Sequence, residues 1–154
     1  MSLVCNGSWI ALLAVLATGS VRTTIEFTED SLEVVKKIVT KNKAVLVDVR
    51  SQEEWNKGHI DGSIFLPVTS LRKGGDPKEL AKRLPKKKIL YTFCVVGMRA
   101  KTAAKALEQH GYTVRALKPG YDELIKAGFK KGKNKKELEK SAAENENTRQ
   151  RNAG

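Results

Sequence analysis

Cys94 and Arg99 are the two residues in this 154-residue chain whose types and spacing most directly suggest chemistry. Cys94 follows the run Lys88-Ile89-Leu90-Tyr91-Thr92-Phe93 and precedes Val95-Val96-Gly97-Met98, after which an alanine-rich helical pattern begins. A cysteine between a strand end and a helix start has backbone N–H groups and the positive helix end directed at its sulfur. Arg99 adds a fixed positive charge at the far side of the loop. Such surroundings favour the thiolate, the nucleophilic form of cysteine. Gly97 permits a tight backbone cradle that a side chain would obstruct. The competing reading of a lone cysteine is a buried structural residue. The glycine, the arginine and the helix start together weigh toward a nucleophile.

The elements that must position this loop alternate between strand and helix signals. Ala44-Val45-Leu46-Val47-Asp48-Val49 is a short, β-branched, nearly continuous apolar run, as expected of a strand buried on both faces. Further strands are predicted at Ser63–Leu66, Ile89–Phe93 and Thr113–Leu117. Leu32, Val35 and Val39, with Val34 and Ile38 beside them, predict a helix over 30–41. Asp76-Pro77 reads as an N-cap and first helical residue ahead of Leu80 and Leu84. Ala100, Ala103, Ala104 and Leu107 share one helical face, and Gly111 stands where a C-cap glycine belongs. Small Ala103 and Ala104 would let that helix sit close to a sheet. Tyr121, Leu124 and Ile125 mark a last short helix, closed by Gly128. This alternation predicts an α/β fold, a mostly parallel central sheet with helices on both faces. Ligands of open parallel sheets bind at the carboxyl ends of the strands. Those ends carry Asp48-Val49-Arg50 and the Cys94–Arg99 loop.

Length and composition narrow the function classes. The chain is long enough for one domain with a real core and too short for two. Two cysteines exclude a disulfide scaffold and a four-cysteine zinc site. The two histidines, His59 and His110, lie far apart with no Cys/His cluster, so no metal site is predicted. The net charge of +12 divides as +1 over 1–22, +7 over 23–129 and +4 over 130–154. A spread of this kind suits a small anionic partner as well as nucleic acid. Nucleic acid is disfavoured because the lysine-rich end has no interleaved aromatics for base stacking.

Both ends read differently from the middle. Trp9–Ala17 is an apolar run of nine, short of the roughly 20 residues a membrane span needs. With small residues at Ala17, Gly19 and Ser20 it has the form of a signal peptide over 1–22, although Met1–Ser8 carries no Lys or Arg. The alternative is a terminal element packed on the domain. Export, to a periplasm or beyond, is the expectation, and removal of the leader would take Cys5 with it. Residues 130–154 are lysine-, glutamate- and asparagine-rich and are expected to form a basic disordered tail after a domain over 23–129.

The body resembles the rhodanese-like single-domain sulfurtransferases over about 25–129. Asp48-Val49-Arg50, Glu54-Trp55, Gly58-His59-Ile60-Asp61-Gly62-Ser63-Ile64 and Leu66-Pro67 are similar to that family's first signature. Cys94–Arg99 resembles the active-site loop, and Leu117-Lys118-Pro119-Gly120-Tyr121 the closing signature. Pro119 and Leu124 stand where glycine and tryptophan are usual, so that corner is expected to differ in shape. The resemblance implies a three-layer fold and a two-step sulfur relay. The Cys94 thiolate takes the outer sulfur of a small anionic donor such as thiosulfate. The persulfide then passes that sulfur to cyanide, a thiol or a protein, with no metal or organic cofactor.

By the same resemblance the backbone N–H groups of Val95, Val96, Gly97, Met98 and Arg99 hold the sulfur, with Met98 at the lip. Arg50 either reaches the donor anion or makes a salt bridge with a local carboxylate. Arg99 either binds the donor's sulfonate or holds the loop through backbone carbonyls. Asp48 orients the loops, and His59 makes a structural hydrogen bond. Lys57, Lys73, Lys101 and Lys118 add a diffuse positive field. A non-catalytic sulfur carrier or interaction module on the same fold is the main alternative. A cysteine-dependent phosphatase or arsenate reductase is the weaker one. Their loops have one more residue between Cys and Arg, whereas four separate Cys94 from Arg99, and Phe93 replaces the histidine that commonly precedes a phosphatase nucleophile.

Overall fold

The computed structural model describes residues 26–72 and 74–133. The expectations for the leader over 1–22, for Lys73 and for most of the basic tail fall outside these residues. In chain order the elements are α1 (Leu32–Thr40), β1 (Ala44–Asp48), α2 (Gln52–Lys57), β2 (Ile64–Phe65), α3 (Val68–Arg72), α4 (Pro77–Arg83), β3 (Ile89–Phe93), α5 (Met98–Gln109), β4 (Val114–Ala116) and α6 (Tyr121–Lys126). The strands form one sheet in the order β2-β1-β3-β4, and every neighbouring pair is parallel. Among the described residues no helix is long and apolar enough to cross a membrane.

The two central strands are apolar on both sides because both faces of the sheet are covered. On one face Leu46, Tyr91 and Phe93 pack with Val35 of α1, Leu117, Leu124 of α6 and Phe129. On the other, Val47, Leu90 and Cys94 pack with Leu71 of α3, Leu80 of α4 and Ala100, Ala103, Ala104 and Leu107 of α5. Ala100, Ala103 and Ala104 are fully buried, so α5 lies close against the sheet. The buried Thr92 hydroxyl on β3 donates to the Ala100 carbonyl at 3.0 Å, which satisfies it and ties the strand to the start of α5. Asp76 caps α4 through the Lys78 N–H at 2.8 Å, with Pro77 in the first turn. Leu124, where the resemblance leads one to expect tryptophan, is fully buried in the core.

Two helices escape sequence periodicity. α2 holds a single apolar residue, Trp55, and α3 only Val68 and Leu71, too few to repeat an apolar spacing. What forms α2 is local: Ser51 accepts from the Glu54 N–H while the Glu54 carboxylate accepts from the Ser51 N–H, a reciprocal capping box. Backbone pairing continues past residue 129. The Asp61 N–H donates to the Lys130 carbonyl at 2.8 Å and the Gly132 N–H to the His59 carbonyl at 2.9 Å. Lys130–Gly132 are thereby tied to the 59–61 segment. Their polar side chains hide this, because the pairing is made by backbone.

Leu107 is fully buried at the centre of the α5 face. Leu107→Ala is expected to cost about 2–5 kcal/mol of stability, read as a lower midpoint in urea denaturation.

Candidate active site

The parallel register of β1 with β3 runs from Ala44 opposite Ile89 to Asp48 opposite Phe93. The two strands therefore end level, and the Val49 N–H donates to the Phe93 carbonyl at 3.1 Å. β2 joins them with Phe65 opposite Asp48. The two loops predicted to carry chemistry are thus side by side at one edge of the sheet.

Cys94 is the first residue after β3 and is 1% exposed. Its Sγ accepts the Gly97 N–H at 3.1 Å. Gly97 has φ +84°, in the left-handed region, and a Cβ there would lie 2.7 Å from the Phe27 ring, so two constraints demand glycine. The closing signature clamps the loop from outside. The Tyr121 N–H donates to the Cys94 carbonyl at 2.9 Å, and a Cβ on Gly120 would lie 1.8 Å from the Val95 carbonyl oxygen. Only a hydrogen fits at that position. Val95, Val96 and Met98 point outward and are exposed.

Arg99 is the second residue of α5 and is held by a carboxylate. Its guanidinium grips Glu54 with both Nη atoms, at 2.6 and 2.8 Å. That bond, with smaller help from the Ser51 amide, pulls the Glu54 carboxyl from its ordinary 4.5 to about 2 against an opposing effect of burial. Arg99 is pushed above its ordinary value, chiefly by Glu54 and in smaller part by the neighbouring Cys94. Arg99 thus has both the Glu54 carboxylate and Cys94 among its neighbours.

Arg50 makes the local salt bridge that was its second reading. It is 4% exposed, its Nε and Nη2 contact the Asp48 carboxylate at 2.7–3.0 Å, and Nη2 also donates to the Gly58 carbonyl at 2.7 Å. The Tyr121 ring covers the guanidinium at 4.2 Å. Asp48, wholly buried, also accepts the Arg50 N–H at 3.0 Å and so holds the loop after β1. His59 stacks on a neighbouring aromatic ring. Its ring lies 4.1 Å from that of Trp55 at 11°, and its Nδ1 meets no partner among the described residues.

A cavity of about 310 Å³ opens between the loop after β1, α3 and Arg99. Its walls include Val49, Arg50, Phe65, Val68, Arg72 and Arg99. Sequence reasoning named Arg50 and Arg99 but not Glu54, Gly120 or Arg72 as site residues. Glu54 and Gly120 stand inside the quoted signatures, which was a usable signal. Arg72 is one of 29 basic residues and had none. Among the described residues no group of three His, Cys, Asp or Glu side chains could hold a metal ion.

A rhodanese-like domain model matches residues 31–127. The chain belongs to the rhodanese-like family. A thiosulfate:glutathione sulfurtransferase of Saccharomyces cerevisiae is 38% identical over 99 residues, covering 58% of this chain and 71% of that one. The uncharacterized protein YibN of Escherichia coli K12 is 35% identical over 115 residues, covering 73% and 78%. Among solved structures, the single-domain sulfurtransferase RDL2 of Saccharomyces cerevisiae superposes with a TM-score of 0.53 at 27% identity, over 66% of this chain and 95% of that one.

The low Glu54 value carries a stability consequence. A carboxyl depressed in the folded state stabilises above its unfolded value and loses that contribution as pH falls through the folded one. Wild-type stability is therefore expected to decline between pH 4.5 and about 2. Glu54→Gln is expected to flatten that part of the profile, measured as urea midpoints across the acid range.

Proposed function

We propose that this rhodanese-like protein is a sulfurtransferase that uses Cys94 as its nucleophile and thiosulfate or a similar anion as donor. The observation that supports this most is the Cys94 loop itself. The sulfur sits at the carboxyl end of a central strand, accepts a backbone N–H, and has Arg99 pinned beside it by Glu54. In the first half-reaction the thiolate attacks the outer sulfur of thiosulfate, the donor's S–S bond breaks, and sulfite leaves with the bonding pair. The persulfide so formed lengthens the side chain by one S–S bond, about 2 Å. That matters for a cysteine at 1% exposure, because it carries the transferable sulfur outward to an acceptor. In the second half-reaction the acceptor attacks the outer sulfur and Cys94 returns as thiolate. The four-residue spacing between Cys94 and Arg99 disfavours a phosphatase, whose cradle is wider.

One observation favours a second reading of the acceptor. Among the described residues the exposed large apolar side chains are Val34, Val95, Val96 and Met98, and three of these four rim the nucleophile. A small anion gains little from such a rim, whereas a protein presenting its own cysteine would cover it. Sulfur would then be carried to a partner chain instead of a small thiol.

Brief exposure of the reduced protein to thiosulfate is expected to add one sulfur to the intact mass of the wild type. Cyanide should remove it, and Cys94→Ser should never gain it. Absence of the gain from a folded protein with a reactive thiol, or turnover of an aryl phosphate, would overturn the assignment.

A further inference from the structure

Gly97 gives its N–H to the sulfur of Cys94 at 3.1 Å, and its φ of +84° is one of many backbone conformations open to a glycine. A residue so free needs contacts around it to keep that N–H aimed. Its carbonyl accepts the Lys101 N–H at 3.0 Å in the first turn of α5. Its Cα faces the Phe27 ring. A Cβ built on Gly97 would lie 2.7 Å from Phe27 Cε1, 2.8 Å from Cζ and 3.2 Å from the Lys118 Cα. The ring and the Lys118 backbone thus crowd Gly97 on one side.

Phe27 is itself held in place. Its backbone bridges to Ala116, the last residue of the edge strand β4, and the Thr28 N–H donates to the Ala116 carbonyl at 2.9 Å. Ala116 in turn lies opposite Thr92 on β3, two residues before Cys94. The Lys101 ammonium lies 4.8 Å from the centre of the Phe27 ring and 3.4 Å from the Glu26 carboxylate. The ring packs against the core cluster that contains Cys94. Glu26–Thr28 therefore form a short strap, hung on the edge of the sheet and pressed against the loop. The strap precedes residue 31, where the family match begins.

We propose that Phe27 is a positioning residue for sulfur transfer, its ring holding Gly97 so that the Gly97 N–H stays directed at the sulfur on Cys94. This rests on the sulfurtransferase reading above and adds to it the part that keeps the loop in its working shape. The charge in the step explains why the contact matters. At the start the negative charge is on the Cys94 thiolate. The thiolate attacks the outer sulfur of thiosulfate, the donor's S–S bond breaks, and sulfite leaves with the electron pair. Cys94 is then a persulfide anion, so the loop faces one negative charge before and after. An N–H fixed in advance stabilises that charge without reorganising during the step. Phe27 acts through Gly97 and not on the donor.

The test uses the full chain as wild type, Phe27→Ala and Phe27→Leu, with two measurements. In the first, amide hydrogen exchange is followed by NMR on the reduced protein without any donor. Gly97 is expected to exchange about tenfold faster in Phe27→Ala, a part of what a hydrogen bond to a charged atom contributes, while the amides of β3 keep their wild-type rates. In the second, single-turnover persulfide formation is measured against thiosulfate concentration. The limiting rate is expected to fall about tenfold in Phe27→Ala, with the half-saturating concentration within about twofold of wild type, as for an interaction that acts on the step and not on binding. Phe27→Leu, which keeps an apolar side chain on the strap, is expected to fall between the two, and it decides alone by the same measurements should Phe27→Ala not fold. Unchanged Gly97 exchange, equal acceleration at Gly97 and in β3, or an unchanged limiting rate would overturn the role of Phe27. If Gly97 exchange depends on Phe27 but the wild type forms no persulfide from any donor, the hold on the loop stands and the sulfurtransferase reading fails.

Discussion

The site depends on one constraint of the sheet, the level ending of β1 and β3. Parallel pairing with Asp48 opposite Phe93 means that the residues immediately after each strand emerge at the same height. A shift of one residue in that register would turn the alternating side chains to the opposite faces. Were β3 to slip, Tyr91 and Phe93 would lose the α1 and α6 side, and Cys94 would leave the face covered by α5. The apolar faces and Cys94 are therefore held by the same pairing. Burial of the core and placement of the sulfur are not independent properties of this chain.

On that frame the loops are secured by contacts that tolerate little change. Gly97 lies against the Phe27 ring, and Gly120 against the Val95 carbonyl at a distance where no side chain fits. The Tyr121 N–H holds the Cys94 carbonyl while the Tyr121 ring lies over Arg50. The closing signature thus touches both strand-end loops at once, through backbone on one side and an aromatic face on the other. The charged groups are organised in the same economical way. Asp48 and Glu54 each take up one arginine, which removes most of the positive charge that the residue types alone would place at this edge. A basic chain of net charge +12 therefore has a site whose local field is set by which arginines lack a partner, and not by how many there are.

How much of this was legible beforehand follows from the range of the interactions. β3 was predicted at Ile89–Phe93 and is found there, because a strand buried on both faces must be apolar at successive positions. α5 was legible from the spacing of Ala100, Ala103, Ala104 and Leu107, although it begins at Met98, two residues before the first of these. β2 shrinks to Ile64–Phe65 from the predicted Ser63–Leu66, since only two residues pair with β1. α2 carries a capping box but no apolar repeat, so its signal was present in Ser51 and Glu54 and lay outside a search by periodicity. His59 stacks on Trp55 four residues earlier, a contact created by the turn at Gly58 and not by any helical face.

The sequence by itself determined the α/β alternation and the place of Cys94, with the glycine and arginine of its loop, at the end of a central strand. Those features depend on neighbours within a few positions, where residue type and spacing act directly on the backbone. Only the tertiary structure decided what the charged side chains do. Arg99 meets Glu54 across 45 positions, and Gly120 meets Val95 from a segment beyond α5 and β4. Many carboxylates could pair with a given arginine, and composition ranks them equally. The fold brings one of them within 3 Å and leaves Arg72 without one among the described residues, which is a property of positions in space.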